Sequence, residues 1–99
     1  MFIYATYNEW IEQNSLKAYS TPRKAIESVF PQDLLGTTWQ AYNGPIYDNR
    51  KNIVGSRFIP VDNKHIRKLI ALLNSQWFIT LHNADDERQT MEIHKLPLE

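Results

Sequence analysis

The stretch DNKHIRKLIALLNSQWFITLH, residues 62–82, changes its apolar period partway along, and that change decides the fold class. Ile66, Leu69, Ile70 and Leu73 recur at i, i+3, i+4 and i+7, the stripe of an amphipathic helix. Lys64, Arg67 and Lys68 fall on its other side. Asp62 stands where an N-cap belongs, because its carboxylate can accept from amides of the first turn. From Trp77 the period becomes two. Trp77, Ile79 and Leu81 share one face, so Trp77 to His82 is expected to be a strand. Thr90 to Leu96 is its hairpin partner around the polar loop from Asn83 to Gln89. Matching the apolar faces pairs Ile79 with Ile93 and Leu81 with Met91, since a one-residue slip would turn every side chain to the wrong side.

Upstream, Ile53 to Ile59 reads as a strand, with Gly55 hinting at a bulge or a close approach. Pro60 suits an edge, where a missing N–H costs no ladder bond. Thr38 to Tyr42 is another strand, punctuated by Asn43-Gly44-Pro45. Ile46-Tyr47 follows as a brief strand, and Asp48 to Asn52 as an all-polar turn. Thr21 caps a helix that Pro22 opens, with Ala25, Ile26, Val29 and Phe30 as its buried stripe and Pro31 as its stop. Leu34-Leu35-Gly36 is expected to turn tightly. Phe2 to Ala5 is a first strand. Thr6 and Glu9 then fit a capping box, opening a short helix with Tyr7, Trp10 and Ile11 on one face and fading near Asn14.

The predicted order is β-α-(α)-β-β-α-β-β, an α+β chain. It contains the β-α-β-β-α-β succession of a split βαβ, ferredoxin-like sheet, with the helices on one face and an extra strand from the C-terminal hairpin. Ninety-nine residues with 42% apolar and 22% charged side chains suffice for one domain and one core, taken as residues 1–97. Leu98-Glu99 resembles a cloning remnant before a purification tag. The absence of cysteine removes disulfides, thiolate catalysis and Cys-ligated metals, and it fits a reducing, cytoplasmic location. No basic stretch precedes a long apolar run, so neither a signal peptide nor a membrane partner is expected.

Net charge is zero but unevenly spread. Residues 22–70 carry eight basic groups against four acidic, whereas residues 71–99 carry two against five. No catalytic motif is present: Gly36, Gly44 and Gly55 are isolated, so no phosphate cradle exists, and there is no G-x-S-x-G elbow. In the inferred register His82 and His94 share a face but lie four residues apart along the ladder, about 13 Å, too far for one metal. His65 is expected at the surface. Asp85-Asp86-Glu87 lacks the spaced ligands and central glycine of a calcium loop. Neither cofactor nor metal is expected.

What remains is the basic helix face of Lys64, Arg67 and Lys68, with Arg57 from the preceding strand, and strand aromatics such as Trp39 and Tyr42. These six residues are the candidate binding groups. The first expectation is a small non-catalytic interaction or regulatory protein that binds another protein, or a second copy of itself, through a sheet face or edge. The alternative is a single-stranded nucleic-acid binder that uses the basic helix face and exposed rings. A further alternative is an enzyme with an acid–base site built from Glu9, Glu12 or a histidine.

Overall fold

The computed structural model describes residues 1–8, 15–31, 38–86 and 88–97. The decisive stretch folds much as its period dictates. Asp62 accepts the His65 amide at 3.0 Å and opens a 3₁₀ turn, Asn63–His65, that leads into helix α2, Ile66–Gln76. Ile66, Leu69 and Leu73 are buried on it. Trp77 ends α2 in the left-handed region, φ 69°, with its N–H on the Leu73 carbonyl at 2.8 Å. Strand β5, Phe78–Asn83, therefore begins one residue later than the alternation implied, because Trp77 is spent on the cap. Strand β6, Thr90–Pro97, pairs with β5 in the expected register, Ile79 opposite Ile93 and Leu81 opposite Met91.

The other elements are β1 (Phe2–Asn8), β2 (Ser15–Tyr19), α1 (Pro22–Glu27), β3 (Trp39–Tyr47) and β4 (Ile53–Pro60). Thr21 caps α1 by accepting the Lys24 amide at 3.1 Å, with Pro22 in the first turn. The helix ends at Glu27, short of Pro31, and Val29 and Phe30 pack against the core from the turn beyond it. All strands lie in one antiparallel six-stranded sheet, ordered β2-β1-β6-β5-β3-β4.

This order departs from the ferredoxin-like expectation. The residues after β1 were expected to enter a helix at Thr6. Instead Thr6, Tyr7 and Asn8 stay in the sheet, paired with Ile93, Glu92 and Met91. The ladder with β6 satisfies their backbone groups better than an isolated capping box would. The expected helix residues 9–14, including Trp10, Ile11, Glu9 and Glu12, lie outside the described residues, as do the Leu34-Leu35-Gly36 turn, Glu87 and the Leu98-Glu99 pair. Among the described residues, the first helix thus follows two antiparallel paired strands rather than a single strand. The described elements form two β-β-α units plus the β5–β6 pair, which inserts between β1 and β3.

Both helices cover the same sheet face. The core joins Ala25 and Ile26 of α1, Ile66, Leu69 and Leu73 of α2, and Tyr4, Trp39, Ala41, Ile59, Ile79, Leu81, Met91 and Ile93 of the sheet. These strand positions alternate with those of the opposite face, over which no described element packs. None of the described helices is long and apolar enough to cross a membrane.

Candidate functional site

Strand β3 pairs with β5 only over Trp39–Ala41, yet it pairs with β4 out to Tyr47 opposite Ile53. Beyond Ala41 the two strands leave the sheet as a two-stranded arm, projecting about 17 Å from Tyr42 to Tyr47 at roughly 3.3 Å per residue. Two register shifts mark it. Asn43 and Gly44 together stand opposite the single residue Arg57, with Gly44 at φ 95°, and Val54 is extra between Gly55 and Ile53. Such bulges add twist and bend a ribbon away from its parent sheet. The sequence break at Asn43-Gly44-Pro45 is therefore a bulge within one continuous strand.

The arm's end is held by Asp48. Its Oδ1 accepts the amides of Arg50 at 2.8 Å and Asn52 at 2.9 Å. The Asn52 amide, followed by that of Arg50, holds the Asp48 carboxyl below the usual aspartate range. Lys51 closes the turn at φ 63°. Next to this turn Tyr47, Ile53 and Val54 are 58%, 68% and 62% exposed. Three large apolar side chains thus meet water beside Arg50 and Lys51. A lone ribbon with apolar tips gains little from its own packing.

On the helix side, the base of the arm and α2 enclose a cleft of about 410 Å³ lined by Asn43, Arg57, Phe58, Ile59, Pro60, His65 and Lys68. It runs on into a shallower groove past Ala71, Leu72 and Ser75, with Asn43, Ile59 and Lys68 common to both. The cleft lies where the β3–β4 pair, whose Trp39, Ala41 and Ile59 are still in the core, runs out beyond α2, which packs chiefly on β5 and β6. His65 Nδ1 lies 2.7 Å from Asp62 Oδ1, so that ring nitrogen is engaged.

The open face carries the other aromatic groups. Phe58 meets Tyr42 and His82 edge-on, at 6.1 and 5.6 Å between ring centres. Phe78 stacks on His94 at 5.9 Å, and His94 Nε2 is 3.1 Å from Glu92 Oε2. Among the described residues no group of His, Asp or Glu side chains could hold a metal ion.

Arg57 and Lys68 of the six expected binding residues both line the cleft. Lys64, on the 3₁₀ turn, and Arg67, on α2, are exposed but do not line it. Tyr42 is on the open face, at the root of the arm. Trp39 goes into the core, 8% exposed, because it stands on the helix side of β3 two residues before Ala41. The exposed tip residues Tyr47, Ile53 and Val54 were not singled out from sequence. The signal available was the all-polar turn at 48–52 flanked by apolar residues on both sides.

The fold and these surfaces define a class: an antiparallel α+β domain with a projecting two-stranded arm. Comparison with known proteins returned no matching family model, no matching curated protein and no matching solved structure.

Proposed function

We propose that this domain is a non-catalytic interaction module, cytoplasmic, that grips another protein with the β3–β4 arm. The observation that carries the reading is the arm itself: Tyr47, Ile53 and Val54 exposed together at its end, with Arg50 and Lys51 in the turn. Exposed apolar groups of this size in one place are costly in water and are typical of binding surfaces. The cationic rim suits a partner whose apolar patch is ringed by carboxylates, which also speeds encounter. The outer edge of β4 can take a further strand over part of its length, while Pro60 and the Val54 bulge limit indiscriminate pairing.

The nucleic-acid reading is weaker on geometric grounds. Stacking rings and phosphate-binding cations must serve one strand together. Here Tyr42 and Phe78 are on the open face, whereas Arg57 and Lys68 line the helix-side cleft.

The test is photocrosslinking in cells from a benzophenone side chain at position 54, compared with one at position 24 on α1. The arm reading expects discrete protein adducts from position 54 only, lost in the Tyr47→Ser and Ile53→Ser variants. Equal adducts from both positions, or adducts that survive both serine substitutions, would sink it.

A further inference from the structure

We propose that the cleft between α2 and β4 binds a small organic phosphate, independently of the arm's partner. Arg57 and Lys68 converge on this one cavity from different elements, a strand and a helix. Neither has a carboxylate partner among the described residues, whereas Arg23, Arg88 and both His65 and His94 are paired with one. Both side chains are exposed, and an anion seated in the cleft would be attracted to both charges. A guanidinium fork and an ammonium suit the several oxygens of a phosphate monoester, the fork by geometry and the ammonium as a point charge.

The remaining lining completes the match. Asp62 is the nearby acid, and it is occupied with the amide and ring of His65. The Asn43 amide adds a neutral polar group. Ile59, Pro60, Ala71 and Leu72 supply an apolar wall that continues along the groove. Inorganic phosphate would leave that wall wet, so the ligand is a phosphate with an apolar body. The cavity size falls in the range that small-molecule sites occupy.

Phenyl phosphate, inorganic phosphate and benzoate are the probes, titrated at low salt into the isotope-labelled 99-residue protein and followed by amide chemical shifts. Phenyl phosphate is expected to saturate, with shifts confined to Asn43, Arg57–Ile59, His65, Lys68 and Leu72. Arg57→Gln and Lys68→Gln are each expected to weaken it about fivefold or more, as loss of a charged hydrogen bond at a partly open site does. Lys24→Gln, on α1, should leave it unchanged. Both cleft substitutions are at exposed side chains, so folding is preserved, and a thermal melt checks this. Inorganic phosphate binding as tightly as phenyl phosphate would overturn the organic ligand, and benzoate doing so would overturn the phosphate. Shifts scattered over all basic surfaces, or titrations unaltered by both substitutions, would overturn the site. Ile53→Ser leaves this titration unchanged, which keeps the outcome separate from that of the arm.

Discussion

A single oxygen, Oδ1 of Asp62, accepts the His65 amide at 3.0 Å and lies 2.7 Å from the His65 ring nitrogen Nδ1. One carboxylate thereby opens the 3₁₀ turn that leads into α2 and holds the ring of a residue that lines the cleft. Burial works against its ionisation, but the ring and amide of His65 and the Lys64 amide outweigh burial and hold its pKa below the ordinary value.

Acid lability follows from that direction. A carboxyl whose pKa is lower folded than unfolded binds fewer protons in the folded state, so its contribution is complete above the unfolded value and is lost as pH falls through the folded one. Asp48, held by the Asn52 and Arg50 amides, and Asp86, held chiefly by the Arg88 side chain, behave alike. Urea midpoints should be flat near neutrality and fall below about pH 4, the ordinary aspartate range. Asp62→Asn should flatten that fall, and Asp62→Ala should cost about 1 kcal/mol at pH 7 through the lost cap. An acid limb identical in wild type and Asp62→Asn would contradict this assignment.

Lys51 separates stability from binding. Its left-handed backbone, φ 63°, disfavours any residue with a Cβ. Lys51→Gly should therefore stabilise the protein by about 0.5–1 kcal/mol. The same change removes a cation from the arm's tip, so association with an acidic partner should weaken and become less salt-dependent. Chemical denaturation and a binding titration at two salt concentrations read the two effects apart.

Ile53 and Val54 test the same surface from its apolar side. Both are largely exposed, so changing either to Ser should alter stability by no more than about 0.5 kcal/mol. Partner capture should nevertheless fall about tenfold or more if these side chains form the centre of the contact. A variant that binds normally would place the contact elsewhere.

Trp77 shows two local preferences in conflict. Its left-handed cap, φ 69°, favours glycine, but its ring packs edge-on against Phe2 at 5.2 Å, and Lys95 Nζ lies 4.4 and 5.2 Å from the two ring centres. Relief of the backbone is worth about 1 kcal/mol. The aromatic pair, the cation contact and the half-buried ring together are worth about 2–3 kcal/mol. Trp77→Gly should destabilise by about 1–2 kcal/mol by difference, and Phe2→Ala should lower the cost of a second change at Trp77. Additive effects in that double-mutant cycle would show the contact to be idle.

Periodicity alone carried the α+β class, the Asp62 and Thr21 caps, the core stripe of α2 and the β5–β6 register, because each depends on residues close in sequence or on a match of apolar faces. The polar turn at 48–52 and the placing of Pro60 on an edge strand were legible for the same reason. Strand order was not. Nothing local to Thr6-Tyr7-Asn8 says that Ile93, Glu92 and Met91 will lie beside it and draw it out of a helix. Nor does sequence say that β3 loses its β5 partner after Ala41, which alone turns Tyr47, Ile53 and Val54 into an exposed tip. Charge type was visible at Arg57 and Lys68, yet their lining of one cleft came from where α2 lies on the sheet. Local chemistry chose the elements. Pairing across the sheet, which must satisfy every buried backbone group at once, chose what those elements expose.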